Sequence, residues 1–261
     1  MVTIATWNVN SVKSRLPQVT EYLKVQSPDI VLLQEIKCTT ETFPYMEIEE
    51  LGYNCAVHGQ KTFNGVAILS KFPVDDVLKA LPGEKEDEQA RYIEAVVSLP
   101  EGAVRVASIY VPNGQNVGSE KFAYKMRFFD RLRTHSKELL RYDEALVLGG
   151  DYNVAPFPED VFDPERLDGT VCYHPDERAK FRTLLYDGLT DAFRVMNPTV
   201  HQYSWWDYRG GSWQQNKGMR IDHLLLSPEA VDCLTSAEIR AALRNEEKAS
   251  DHVPVECILA L

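Results

Sequence analysis

The chain has 261 residues, of which 44% are hydrophobic and 26% are charged, and its formal net charge is −11. This composition can bury a sizeable core and excludes a disordered or fibrous protein, and the length fits one domain over residues 1–261. An acidic balance argues at first against a nucleic-acid partner. The objection is weak for an enzyme whose carboxylates bind a metal ion, because those groups count as negative until the cation arrives.

The cysteines and the N-terminal segment indicate the cellular compartment of the protein. The five cysteines are odd in number and widely spaced, with no CxxC pair. This pattern argues against a disulfide framework or a zinc site and favours a reducing compartment. The segment "MVTIATWNVN" lacks the basic flank and apolar stretch of a signal peptide. No run approaches the roughly 18 apolar residues of a membrane span. We expect a soluble, cytoplasmic protein without a membrane partner.

Short apolar and β-branched runs recur along the whole chain and predict strands. In chain order they are "VTIATWNV", "DIVLLQE", "GVAILS", "IEAVVSL", "VRVASIYV", "EALVLGG", "RIDHLLLS" and "PVECILAL". Helical spacing of apolar residues predicts helices over Ser11–Val25, Ser119–Arg141 and Asp176–Tyr186, with Ser119 as an N-cap. Several strands follow one another directly, which indicates mixed sheets with helices outside and not a regular parallel βαβ series.

Polar residues interrupt or end these apolar runs. The set is Asn8, Glu35, Tyr110, Asn113, Asp151, Asn153, Asp222, Asp251 and His252. Each alone has a structural explanation, such as a turn residue, a surface carboxylate, a helix cap or, for His252, a structural histidine. Together they predict a negatively charged pit if the strand ends converge, because carboxylates at the ends of buried strands are costly without compensation.

An oxygen-rich pit suits Mg²⁺ or Mn²⁺, and the lack of thiolate clusters disfavours zinc. Such a site supports phosphodiester hydrolysis, in which a carboxylate positions water and a histidine held by a carboxylate acts on the developing charge. Asp222 is the expected partner of His252. In an extended chain Asp151 and Asn153 share a face. The two preceding glycines are expected to let a substrate backbone approach.

The motifs, taken together, resemble the exonuclease III family of apurinic/apyrimidinic endonucleases, within the endonuclease/exonuclease/phosphatase superfamily. The resemblance runs from Trp7 to Val255 and is carried by "TWNVN", "LLQEIK", "GVAILSK", "IYVPNG", "GGDYNVAP", "YSWWDYR", "KGMRIDHLLLS" and "SDHVPV". It implies an α/β, DNase I-like fold. Two mixed, mostly antiparallel β-sheets would pack face to face with helices outside, as a four-layer sandwich.

The resemblance also implies residue roles. The implied Mg²⁺ site, for which Mn²⁺ is a plausible substitute, involves Asn8, Glu35, Asp151, Asn153, Asp251 and His252, with Glu35 as the main ligand. The implied catalytic residues are Tyr110, Asp151, Asn153, Asp222 and His252. Those implied to bind substrate are Arg91, Asn113, Lys121, Trp205 and Met219, with Lys125 as a further phosphate contact. Trp205 and Met219 are the implied walls of a pocket for an extruded abasic sugar.

The activity implied is that of a monomeric, Mg²⁺-dependent DNA repair hydrolase. It would cut duplex DNA 5′ to an abasic site, with 3′→5′ exonuclease and 3′-phosphatase activity as further possibilities. Two alternatives stay open. One is an enzyme of the same superfamily that acts on another phosphoester, such as RNA, a phosphoinositide or sphingomyelin. The other is a catalytically inactive DNA-binding scaffold, which would require a missing ligand, and none is missing from the sequence.

Overall fold

Twelve strands form two six-stranded sheets in the computed structural model, which describes residues 1–261. Strands β1 to β12 are Val2–Asn8, Ile30–Gln34, Asn54–His58, Val66–Ser70, Val74–Lys79, Tyr92–Leu99, Gly102–Tyr110, Leu146–Asp151, Thr190–Asp191, Asp222–Leu226, Leu234–Ile239 and Val255–Leu259. The first sheet has the order β11-β12-β1-β2-β4-β3 and the second β5-β6-β7-β8-β10-β9. Each sheet contains one parallel pairing, β1 with β2 and β7 with β8, and is otherwise antiparallel.

Seven α-helices accompany the sheets. Helices α1 to α7 are Leu16–Val25, Tyr45–Glu49, Glu120–Leu139, Pro164–Leu167, Pro175–Tyr186, Ala192–Met196 and Pro228–Asp232. Ser119 caps α3 as predicted, because its side chain accepts a hydrogen bond from the Phe122 N–H at 3.2 Å. The first helix begins at Leu16 and not at Ser11. Ser11 has a φ of +89° and its N–H donates to the Glu35 carbonyl, so it belongs to a turn. None of these helices is long and apolar enough to cross a membrane.

The two sheets pack against each other and carry helices on their outer faces. Between them, Ile4 and Leu32 of the first sheet share a core with Val106 and Val147 of the second. Alternate residues point outward because the side-chain period of a strand is two. The outer face of the first sheet packs against α1, and that of the second against α3 and α5. The predicted four-layer α/β sandwich is confirmed.

The two glycines before Asp151 serve packing inside β8. A Cβ on Gly149 would lie 2.5 Å from Leu32 Cδ1 of the facing sheet, and a Cβ on Gly150 would lie 2.0 Å from the Ile109 carbonyl oxygen of β7. Both distances are shorter than real Cβ contacts allow. The expectation that these glycines let a substrate backbone approach is therefore wrong. They let a facing side chain and a neighbouring strand approach β8.

Candidate active site

Strand register brings the predicted polar residues to one edge of the sandwich. Asn8 ends β1 opposite Gln34 of the parallel strand β2, and Tyr110 ends β7 opposite Asp151 of the parallel strand β8. The carboxyl ends of parallel neighbours lie at the same edge of a sheet. The antiparallel strand β10 begins there, with Asp222 opposite Asp151. Side chains distant in sequence thus meet at the ends of buried strands.

Glu35 and Asp151 face each other across the amide of Asn8. The Asn8 Nδ2 group donates to Glu35 Oε1 at 2.9 Å and to Asp151 Oδ2 at 3.0 Å. The Asn8 Oδ1 atom accepts from the Asn10 N–H at 3.0 Å. Asn8 therefore presents its nitrogen to the two carboxylates, and its predicted role as a metal ligand stays a prediction. Lys37 forms an ion pair with Glu35 at 2.8 Å.

His252 lies between two carboxylates. Its Nδ1 atom is 2.8 Å from Asp222 Oδ2 and its Nε2 atom is 3.8 Å from Asp151 Oδ2. Ser204 donates to Asp222 Oδ2 at 2.6 Å, and its oxygen accepts from the Ile221 and Asp222 N–H groups. The Asp222 side chain is fully buried. This carboxylate can thus hold one histidine tautomer and leave Nε2 facing Asp151.

Asn153 meets Asp151 through a tight turn and not through strand alternation. Asn153 has a φ of +50°, its N–H donates to Asp151 Oδ1 at 2.9 Å, and its Nδ2 group donates to Asp151 Oδ2 at 3.2 Å. Asparagine tolerates this left-handed conformation better than most residues. Asn113 donates to Asn153 Oδ1 at 2.9 Å. The two asparagines and Asp151 therefore form one continuous hydrogen-bonded group.

Burial and neighbouring charges shift the pKa values of these groups. Burial raises the pKa of Asp151, and the nearby Asp222 and Glu35 carboxylates raise it further, against the opposing effect of His252. Burial lowers the pKa of His252, but Asp222 and Asp151 outweigh burial and raise it from 6.5 to about 10. Burial raises the pKa of Glu35, but Lys37 and the Asn8 hydrogen bond reverse that effect, so the net change is downward. Asp151 and His252 are thus two neighbouring groups with strongly perturbed pKa values, which is typical of a functional site.

A cavity of about 410 Å³ opens over this cluster. Its lining residues are Glu35, Tyr110, Asn113, Asp151, Asn153, Val171, Cys172, Trp205, Met219, Ile221, Asp251 and His252. The lining combines polar and apolar side chains, and Trp205 forms isolated β-bridges with both Met219 and His252. Trp206, by contrast, is a core residue between the two sheets. The predicted pocket residues Trp205 and Met219 therefore lie at a cavity next to the predicted catalytic residues.

Three further predicted residues, Asp251, Arg91 and Lys121, lie outside the Glu35–Asp151–His252 group. Asp251 lines the cavity, but its carboxylate accepts from Asn10 at 2.9 Å and from Trp205 Nε1 at 3.1 Å, apart from the three-residue group that could hold a metal. The Arg91 guanidinium lies over the Tyr110 ring, 4.6 Å from its centroid. Lys121 is exposed in the first turn of α3.

Lys125 does not occupy a position from which it could contact DNA. Its side chain is fully buried and forms an ion pair with Glu177, so the expectation of a phosphate contact is wrong. Sequence reasoning also missed Ser204 and Lys37, which lie at the site. Serine within a tryptophan-rich segment and lysine two residues after a glutamate carry no sequence signal. Only the fold brings them to Asp222 and Glu35.

Glu35, Asp151 and His252 could hold a metal ion together. One ligand atom from each of them lies within 4.8 Å of the other two. Two carboxylates and one imidazole suit a divalent cation. Their oxygen-rich composition and their place at the base of the cavity fit the metal that the sequence predicts.

Comparison with known proteins assigns the chain to a family. Residues 5–252 match the Endonuclease/Exonuclease/phosphatase family. Exodeoxyribonuclease III of Haemophilus influenzae is 34% identical over 258 residues, which cover 96% of this chain and 97% of that protein.

Two solved structures cover 100% of this chain and are themselves covered completely. A 3′ phosphatase from Neisseria, bound to a product DNA hairpin, superposes with a TM-score of 0.96 at 39% identity. An AP endonuclease from Archaeoglobus fulgidus superposes with a TM-score of 0.95 at 35% identity. The matches extend over the fold and over every strand end that builds the cavity. The chain therefore belongs to the Endonuclease/Exonuclease/phosphatase family, whose members are metal-dependent, and within it to the exonuclease III family.

Proposed function

We propose that the protein is a DNA repair phosphodiesterase that cuts duplex DNA 5′ to an abasic site and leaves a 3′ hydroxyl. The observation that carries the proposal is that Asp151 and His252, the latter bonded to buried Asp222, line the same cavity as Trp205 and Met219. Relatives named exodeoxyribonuclease III and AP endonuclease support the same substrate class. The Neisseria 3′ phosphatase supports 3′→5′ exonuclease and 3′-phosphatase activity on the same cavity.

Mg²⁺ is the proposed cofactor, with Mn²⁺ as a substitute. Glu35 is its main ligand, with Asp151 and His252 within reach of the same ion. Asn8, Asn153 and Asp251 complete the proposed metal environment. Oxygen ligands dominate this set, which is the preference of both cations. When bound, the cation supplies neutralising charge for the phosphoryl oxygens.

Asp151 is the proposed base that orients a water molecule and accepts its proton. Its raised pKa suits this role, because a general base works best with a pKa near the operating pH. The water oxygen forms the new bond to phosphorus, and the bond between phosphorus and the upstream 3′ oxygen breaks. Asn153 fixes the orientation of the Asp151 carboxylate through two hydrogen bonds, and thereby the position of the water that Asp151 would bind.

His252 is the proposed donor to the phosphoryl oxygens, held in place by Asp222. The raised pKa of His252 keeps the imidazole protonated at neutral pH, so it can donate to developing negative charge. Tyr110 and Asn113 lie around the phosphate and the leaving oxygen. The pKa of Tyr110 is far above its usual value because of burial and the Glu35 and Asp151 carboxylates. Its hydroxyl therefore stays protonated and can donate a hydrogen bond to an oxygen of the phosphate.

The cavity explains the preference for an abasic site. A sugar without its base can enter the cavity that Trp205 and Met219 line, whereas an intact nucleotide is too large and must also leave the base stack. Arg91 and exposed Lys121 supply sequence-independent contacts to the DNA backbone, and such contacts position a protein without reading sequence. Four of the acidic residues behind the net charge of −11 lie in the cavity or hold His252, where a bound cation would offset part of their charge.

We propose that residues 1–261 form a single domain. The core between the sheets is continuous over both of them. We further propose that the protein acts as a monomer. The five cysteines are all free, which fits a reducing compartment such as the cytoplasm.

Three labelled duplexes test the proposal: one with an abasic-site analogue, one with a 3′ phosphate and one intact. In Mg²⁺ we expect cleavage 5′ to the abasic site and release of phosphate from the blocked end, with both lost on chelation. Rapid cleavage of RNA or of a phosphoinositide headgroup, without action on any of the duplexes, would establish the alternative superfamily activity. Activity that survives complete chelation would refute the metal-dependent mechanism.

A further inference from the structure

A fully buried lysine lies directly behind the two asparagines of the site. Lys125 is on α3 and its side chain has no exposed surface, and Glu177 on α5 is equally buried. Burying a charge is costly unless it is paired and its hydrogen bonds are satisfied. A lysine at this position therefore needs a structural or functional explanation.

The three N–H donors of the Lys125 ammonium meet three acceptors. The Nζ atom donates to the Asn113 carbonyl at 3.1 Å, to the Asn153 carbonyl at 2.7 Å and to Glu177 Oε1. Neither carbonyl accepts a backbone N–H. Glu177 Oε2 accepts from the His174 N–H at 3.0 Å, which fixes the carboxylate at the start of α5. The ammonium is thus saturated by the protein and has no donor left for a ligand.

The two carbonyls belong to the turns that present the Asn113 and Asn153 side chains. These side chains bond each other at 2.9 Å, and Asn153 in turn holds Asp151. Lys125 joins the same two turns from behind, through their backbones. A single buried group therefore links the backbones of the two asparagines, including that of Asn153 in its left-handed conformation with a φ of +50°.

We propose that the Lys125–Glu177 pair positions Asn113 and Asn153 for the chemical step and makes no contact with DNA. Lys125 is a positioning residue, since it acts only through the two carbonyls that it joins. This inference rests on the proposed roles of the two asparagines. It predicts a loss of kcat with DNA affinity retained, because small displacements of reacting groups slow the chemistry without changing the surface that binds the duplex.

The test is the double substitution Lys125→Met with Glu177→Gln. It removes both charges together, so no unpaired charge remains buried, and the introduced glutamine side chain can still accept from the His174 N–H. We expect kcat on the abasic duplex to fall by about 10- to 100-fold. The duplex Kd, measured in chelator, and its dependence on salt should remain those of the wild type.

The matched control is Arg105→Met with Glu94→Gln. This ion pair of 3.0 Å is also largely buried but lies away from the cavity. Both double variants are compared by thermal melting, and the control should keep the wild-type kcat at a similar Tm loss. Lys125→Arg keeps the charge and several donors, and we expect it to keep kcat closer to the wild-type value than the double variant does. A Lys125→Arg variant as slow as the double variant would contradict the proposal.

Two further results would overturn the inference. One is a folded Lys125→Met/Glu177→Gln protein with kcat within about threefold of wild type. The other is a weaker Kd with a salt slope reduced by about 0.9, which is the signature of one lost phosphate contact. Asn153→Ala in the same assay separates this outcome from failure of the proposed function. If Asn153→Ala is slow and the double variant is not, only the positioning role fails, whereas a fast Asn153→Ala removes the catalytic role itself.

Discussion

Replacing Asp222 by Asn tests the pairing that holds His252. The two Asp222 oxygens lie 2.8 and 3.1 Å from His252 Nδ1, and the carboxylate is fully buried. Asparagine has nearly the same shape and can still accept from Ser204. The substitution therefore removes a negative charge while leaving the packing around it close to that of the wild type.

The expected loss follows from that single buried, charge-assisted hydrogen bond. Hydrogen bonds to charged groups contribute roughly 1.5–3 kcal/mol, and each 1.36 kcal/mol changes a rate about tenfold. If the bond strengthens only as His252 donates to the transition state, kcat of Asp222→Asn should fall by about 10- to 150-fold. Since Asp222 does not line the cavity, the Kd for the duplex should change little.

Single-turnover cleavage of an abasic duplex at saturating protein measures the chemical step directly. Glu256→Gln is the matched control, because Glu256 is also a buried carboxylate, bonded to Tyr22 and Arg240 and remote from the cavity. The control should retain the wild-type rate. An Asp222→Asn protein that is folded and cleaves within about threefold of wild type would refute the assignment of Asp222 as the partner of His252.

Two further predictions concern protonation and packing. In metal-free protein, the pKa of His252 measured by NMR titration should lie well above 6.5, and Asp222→Asn should lower it. A wild-type His252 pKa close to 6.5 would contradict the effect assigned to the Asp222 and Asp151 carboxylates. Because the folded-state pKa is raised, the stability that His252 contributes is complete below pH 6.5 and is lost as the pH rises towards about 10. Gly150→Ala should lower Tm more than Gly149→Ala. Its Cβ meets the rigid Ile109 backbone, whereas that of Gly149 meets side chains that can move, and overpacking typically costs about 1–3 kcal/mol. Equal melting temperatures of the two variants would contradict this ranking.

Sequence patterning predicted the interior strands and missed the edges. The strands β3, β5, β9 and β11 were not predicted, and they are the four terminal strands of the two sheets. An edge strand has few buried contacts and often carries charge, which discourages pairing with other chains. Five of the six residues of β5 are exposed, and it includes Asp75 and Asp76. No hydrophobic alternation remains there to be recognised.

The residue types of the site could be predicted, but several of their partners could not. Carboxylates and amides after apolar runs indicated a site because their burial is costly. The Asp151–Asn153 contact depends on a left-handed turn, and apolar periodicity gives no information on turn geometry. Lys125 and Glu177 are 52 residues apart, and Ser204 and Asp222 are 18 apart. From the sequence alone, Lys125 on α3 could be exposed or buried. Its burial follows only from the position of α5, which carries Glu177.

The central claim is that one divalent cation binds at Glu35, beside Asp151 and His252, in the cavity. Titration of the DNA-free protein with Mn²⁺, followed by water proton relaxation, tests it without reference to activity. We expect saturable binding to the wild-type protein and to Glu256→Gln, and affinity lower by more than about tenfold in Glu35→Gln. Binding of Mn²⁺ to a folded Glu35→Gln protein with wild-type affinity would contradict the claim.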